Sequence, residues 1–143
     1  MEAAATRLSQ VGEHGALWLV VAAAGALLGG RPRRRHCRRA LLTIALTYVV
    51  NTVVKVLIRR ARPLLEDLPR LSATMSNRSY PSAHASTSFA AARALSPTLP
   101  SEPLYLGATA MALSRPYLGV HYPSDIAAGA VLGVVLGGAG RAR

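Results

Sequence analysis

Three short clusters in this sequence carry residue types that can hold an anion and act on it. The first is Lys55 with Arg59 and Arg62-Pro63. Its i, i+4, i+7 spacing predicts one face of a continuing helix, and three cations on one face repel unless an anion sits among them. The second is Pro81-Ser82-Ala83-His84. A proline and a serine ahead of an apolar run mark a helix start, with Ser82 as its N-cap. The free N–H groups and positive dipole end of such a start favour anions, and His84 stands beside it. The third is Ser114-Arg115, His121 and Asp125. Pro123 suits the first turn of a helix, which puts Asp125 in that turn and His121 just ahead of it. The carboxylate can then hold the imidazole Nδ1–H, leaving the other nitrogen as nucleophile or base. Taken singly, a Lys or Arg near a helix end usually only snorkels, and a lone histidine is usually a satisfied polar group. Here all of them gather at one end of the chain's apolar segments.

Five apolar runs must do the positioning: Ala16 to Gly30, Ala40 to Ile58, His84 to Leu95, Pro103 to Ser114 with Pro116 just beyond, and Asp125 to Gly140. Each predicts a helix. Four are shorter than the roughly 20 residues of a membrane span, so flanking residues or helix tilt must make up the difference. Of the 143 residues, 51% are hydrophobic, 16% charged and only 5% aromatic, and the mean hydropathy is +0.28. The apolar residues are mostly Ala, Leu, Val and Gly, the small-residue mix of packed membrane helices. The expectation is one domain over 1–143, all-α: a polytopic bundle over 16–143 preceded by an interfacial segment over 1–15.

Seventeen Lys and Arg against six Asp and Glu give a net charge of +11. The basic residues lie between apolar runs, most densely in Arg31-Pro32-Arg33-Arg34-Arg35-His36-Cys37-Arg38-Arg39. That segment reads as a cytoplasmic flank, or a surface meeting anionic lipid. Without aromatic residues among the charges, nucleic acid is not the expected partner. Alternation from a cytoplasmic Arg31–Arg39 puts Arg59 to Ala83 and Pro116 to Ser124 outside, and the tail with Arg141 and Arg143 inside. The outer arginines Arg59, Arg60, Arg62, Arg70 and Arg78 run against the positive-inside rule and call for another explanation. No cleavable signal peptide is expected, since the residues before the first run lack a basic leader. Cys37 is the only cysteine, so it can make no intrachain disulfide and is expected at the membrane surface. Trp18 and Tyr48 are expected against lipid or in the core. Arg93 is expected to snorkel to the cytoplasmic face.

Taken together, the clusters resemble the three-part signature of the PAP2 (type 2 phosphatidic acid phosphatase) superfamily: Lys-x6-Arg-Pro, Pro-Ser-Gly-His and Ser-Arg-x5-His-x3-Asp. Ala83 replaces the usual glycine; it keeps the backbone N–H but would adopt a positive φ less readily. The resemblance implies a haloperoxidase-like helical core and a membrane lipid phosphatase working through a phosphohistidine. It makes His121 the nucleophile, Asp125 its orienting carboxylate and His84 the acid for the leaving alkoxide. Lys55, Arg62, Arg115, Ser82 and the Ala83 N–H would cradle the phosphoryl oxygens. No cofactor and no metal are implied, since no carboxylate cluster suits Mg²⁺. Phosphoryl transfer needs mainly positioning and charge stabilisation.

The opening Ser9-Gln10-Val11-Gly12-Glu13-His14 and the stretches Met111 to Arg115 and Gly119 to Asp125 further resemble small actinobacterial members. That implies a polyprenyl-linked phosphoribose phosphate of arabinan-precursor synthesis, in the plasma membrane with the site on its outer face. Undecaprenyl diphosphate, phosphatidylglycerol phosphate and phosphatidic acid are alternative substrates, and self-association is left open. A soluble acid phosphatase is disfavoured by the apolar runs. A non-enzymatic binder of anionic lipid would need neither His84, His121 nor Asp125.

Overall fold

The computed structural model describes residues 6–7, 10–63 and 76–139. Among them are five α-helices and no strand: α1 (Ala16–Leu28), α2 (Arg31–Ile58), α3 (Ala83–Leu95), α4 (Ser101–Tyr117) and α5 (Pro123–Ala139). All five expected helices are present. Arg70, Arg141 and Arg143 lie outside the described residues, as do Met1–Ala5, Leu8 and Ser9 of the expected interfacial segment. The end of that segment, from Gly12 to Gly15, packs onto the bundle. It includes a 3-10 turn at Glu13–Gly15, and Gly12 lies against Met111 and His84.

Several boundaries differ from expectation. The second helix starts before the expected Ala40: Arg31–Arg39 forms the first turns of α2, which has Pro32 in its first turn and runs 28 residues. Proline is at home there because its missing N–H would have had no partner. Cys37 is not at the surface; it is buried against Gly25 of α1. Pro116 lies inside α4, in its last turn. Trp18 is in the core, donating to Ser88 Oγ at 2.7 Å. Tyr48 is half-buried with its ring against His14, and Arg93 is half-buried with its Cβ beside Gly137.

One helix among the described residues, α2, is long and apolar enough to cross a bilayer by itself. Much of its apolar surface faces outward: Leu42, Leu46, Val49 and Val53 are all exposed.

The tightest packing joins α3 to α5. A Cβ on Gly129 would fall 2.6 Å from Ser82 O, one on Gly133 2.3 Å from Ser86 O, and one on Gly137 2.7 Å from Ala90 O. The register advances four residues on both helices together, so they run parallel with their backbones in contact. Only glycine permits this approach, as in small-residue seams between membrane helices. The hydrophobic core of Ala22, Ile44, Ala91, Leu95, Leu104 and Ala108 fills the space between α1, α2, α3 and α4.

Candidate active site

Four helix ends meet at one end of the bundle, and local capping sets each of them. α2 stops at Arg59, whose φ of 55° is left-handed and whose N–H returns to Lys55 O at 3.2 Å. The chain therefore leaves the helix axis. Arg59 is exposed and donates to Val56 O, whereas Arg62 turns inward and is buried. The expected single face of Lys55, Arg59 and Arg62 is thus corrected: Arg62 reaches the site from an extended segment, and Arg59 does not reach it. That segment runs antiparallel to the approach to α3, with Ala61 bridged to Arg78 and Ser79 N donating to Arg60 O at 2.8 Å.

Ser82 caps α3, its hydroxyl accepting from Ala85 N at 3.4 Å. Ala83 is the first helical residue and is not among the non-glycine residues with positive φ, so alanine in place of glycine carries no strain there. The cap is tied to two other helices. Ser82 N donates to Asp125 O at 3.0 Å, and Asn51 of α2 donates to Pro81 O at 3.3 Å and Ser86 Oγ at 2.8 Å. Asn51 Oδ1 is buried with no hydrogen-bond partner.

α4 ends in a Schellman motif. Val120 N bonds to Arg115 O at 3.2 Å and Gly119 N to Pro116 O at 3.0 Å, with Gly119 at φ 69°. Glycine suits this position because the left-handed conformation costs it nothing. The reversal delivers His121 beside Arg115 and into α5. There Asp125 accepts from Tyr122 N at 2.9 Å, the reciprocal bond of a helix-start box.

His121 and Asp125 are both buried. His121 Nδ1 lies 3.4 Å from Asp125 Oδ2, and His121 Nε2 lies 3.2 Å from Arg62 Nη1. A guanidinium can only donate, so Nε2 accepts and the ring proton belongs on Nδ1, facing the carboxylate. Arg62 also donates to Val120 O at 2.7 Å and Ser76 O at 2.8 Å. Burial first, then the charges of Arg62, Lys55, Arg115 and His84, push the His121 pKa from 6.5 down to about 2. Lys55 reaches Arg78 O at 3.5 Å. His84 is half-buried, and its charge bears on His121.

The structure therefore brings Lys55, Arg62, Ser82, Ala83, His84, Arg115, His121 and Asp125 to one end of the bundle. Sequence reasoning missed two residues that join them. Arg60 Nη1 donates to Asp125 Oδ1 at 3.0 Å and Ser124 Oγ at 2.8 Å, with its guanidinium 4.2 Å from the Tyr122 ring centroid. Asn51 anchors the α3 cap; a polar side chain inside an apolar run was the available signal. Among the described residues, no group of three or more His, Cys, Asp or Glu side chains is arranged to hold a metal ion.

The PAP2 superfamily pattern matches residues 37–141. The decaprenylphosphoryl-5-phosphoribose phosphatase of Mycolicibacterium smegmatis is 42% identical over 126 residues, spanning 87% of this chain and 69% of that protein. The protein of that name from Mycobacterium tuberculosis strain H37Rv is 42% identical over 147 aligned residues, spanning 96% of this chain and 77% of the relative. Among solved structures, a transmembrane PAP2-type phosphatidylglycerolphosphate phosphatase from Bacillus subtilis superposes with a TM-score of 0.71. It shares 26% identity and covers 94% of this chain and 72% of its own.

Proposed function

The chain belongs to the PAP2 superfamily of phosphatases, and from that premise we propose that it is a multi-pass membrane enzyme removing a terminal phosphate from a polyprenylphosphoryl phosphoribose. The substrate reading rests on the 42% identity to two decaprenylphosphoryl-5-phosphoribose phosphatases. The mechanistic reading rests on one observation above the rest: both nitrogens of His121 are engaged, Nδ1 toward a carboxylate and Nε2 toward a cation.

In this mechanism Lys55, Arg62 and Arg115, with the Ser82 hydroxyl and the Ala83 N–H, hold the three peripheral phosphoryl oxygens. They spread the charge that builds up in the transition state. Arg62 carries the phosphoryl group up to Nε2, whose lone pair attacks phosphorus as the bond to the ribose oxygen breaks. His84 gives that oxygen its proton, so the sugar leaves as an alcohol. Asp125 stabilises the cationic ring formed in the transfer. A water molecule then attacks the phosphohistidine, giving its proton to His84 while the P–N bond breaks and the electrons return to Nε2. Phosphate leaves and both histidines are restored.

The bundle's charge distribution supports an outer-face site. The arginine-dense start of α2 lies at the opposite end of that helix from Lys55, as the positive-inside rule favours for the cytoplasmic end. The likeness to the Bacillus subtilis enzyme supports phosphatidylglycerol phosphate as a second candidate substrate.

The test is phosphate release by detergent-purified protein from polyprenyl phosphoribose phosphate, polyprenyl diphosphate, phosphatidylglycerol phosphate and phosphatidic acid, with and without EDTA. EDTA-resistant release, greatest on the phosphoribose lipid and absent in His121→Ala, is the expected result. Normal turnover by His121→Ala would sink the phosphohistidine step, and preference for another lipid would replace the substrate.

A further inference from the structure

The two ends of α2 are both cationic, and only one belongs to the active site. At the other end Arg31, Arg34, Arg35, Arg38 and Arg39 lie along one helical face and, with Leu42, line a groove of about 300 Å³. All five arginines are exposed. Their spacing stacks like charges at i, i+4, which weakens a helix. The first turn carries no acidic residue, although the helix dipole there disfavours cations. The helix gains nothing locally from this pattern, so the compensating charge must come from outside it.

The surroundings say what kind of anion that is. The same face continues beyond Leu42 through Leu46, Val49 and Val53, all exposed. Residues 40–58 rise about 28 Å, close to the roughly 30 Å of a bilayer's hydrocarbon core. With that stretch in the hydrocarbon, the arginines enter the headgroup layer of the leaflet opposite the active site. Arg39 and Lys55 are about 24 Å apart along the axis. The inward side of the same turns is already filled, with Cys37 and Ala40 buried. A second copy of the chain would bring like charge to this face.

We infer that the groove is a docking surface for anionic phospholipid headgroups. Their phosphates lie among Arg34, Arg35, Arg38 and Arg39, and their acyl chains run along Leu42 and Leu46. Guanidinium groups suit this task because they take phosphate oxygens two at a time and are weakly hydrated.

The experiment is thermal unfolding of the full chain in nanodiscs of phosphatidylcholine alone or mixed equally with phosphatidylglycerol, at low and high salt. Wild type should melt several degrees higher in the mixture, with the gain shrinking at high salt. Arg34→Gln/Arg38→Gln should melt at or slightly above wild type in phosphatidylcholine, because a repelling i, i+4 pair is removed, and should lose at least half of the gain. Arg38→Gln alone should lose a smaller part, which keeps the test decisive if the double variant does not fold. An equal gain in the variants, or none in wild type, would overturn the proposal. So would an equal gain from inorganic phosphate added to phosphatidylcholine discs, or displacement of the lipid effect by a short RNA.

Discussion

Arg60 grips the oxygen of Asp125 that His121 does not face, donating to Oδ1 at 3.0 Å while Oδ2 turns to the imidazole and the Tyr122 N–H. Stacked over the Tyr122 ring and bonded to Ser124, it braces the start of α5 from the solvent side. The carboxylate is thus fixed in plane and partly neutralised before any chemistry begins.

Removing that brace should slow turnover without unfolding the bundle. Arg60 is partly exposed, which keeps its contribution near that of one charge-assisted hydrogen bond. Arg60→Ala should lower kcat about tenfold, equivalent to about 1.4 kcal/mol, and leave KM nearly unchanged. Arg60→Lys should recover part of the loss. Steady-state kinetics on the three proteins decide it, and an unchanged kcat in the alanine variant would remove Arg60 from the positioning network.

Asp125 has two tasks, and one substitution weighs them against each other. In Asp125→Asn the side-chain oxygen can still accept from Tyr122 N, but the amide NH2 then meets the Arg60 guanidinium donor to donor, so the melting temperature should fall by several degrees while the bundle still folds. The charge that stabilises an imidazolium is gone, and kcat should fall by about 10³- to 10⁴-fold, as for a serine-protease triad aspartate changed to asparagine. Calorimetry beside phosphate release tests both halves.

The seam between α3 and α5 should resist even one added methyl group. Gly133→Ala would press a Cβ to 2.3 Å from Ser86 O and 2.9 Å from Ala90 N, both backbone atoms with no room to yield. The expected loss is about 3 kcal/mol, the upper range for overpacking a filled interior. Gly30→Ala, where a Cβ meets nothing within 4 Å, is the control and should lose only the N-cap preference of glycine over alanine, about 0.5 kcal/mol. Detergent melts of the two variants make the comparison.

Acid should act on folding through His121 in a defined direction. Its folded pKa is pushed from 6.5 down to about 2 by burial and by the cations around it. Between those values the unfolded chain binds a proton that the folded chain refuses, so stability falls as pH drops through 6.5 and continues to fall toward 2. Above 6.5 this contribution is complete. His121→Asn should show a shallower fall in stability over that window. The acid limb of kcat/KM should not carry a His121 titration near 6.5, which a pH–rate profile reads directly.

Much of this architecture was legible because helices announce themselves by apolar runs and caps by residue type. Ser82, Pro123 and Asp125 all stand where their chemistry predicts. What escaped prediction depends on backbone direction rather than composition. A continuing helix would have aligned Arg59 with Lys55, but a left-handed turn at Arg59 moved Arg60 and Arg62 into the site. Pro116 looked like a stop, yet the helix runs through it at the cost of one i→i−4 hydrogen bond, and the stop is set by Gly119 three residues on. The Arg31–Arg39 segment read as a flank because charge obscured its helical continuity with the apolar turns that follow.

The glycine ladder of α5 also decides where a long alkyl tail cannot go. Ser82, Ser86 and Ala90 meet Gly129, Gly133 and Gly137 backbone to backbone, which leaves no slit between α3 and α5 for a hydrocarbon to slide through. That pair is a closed wall rather than a doorway, and on the proposed reading the tail of a lipid substrate lies elsewhere, between other helices or along the outside of the bundle.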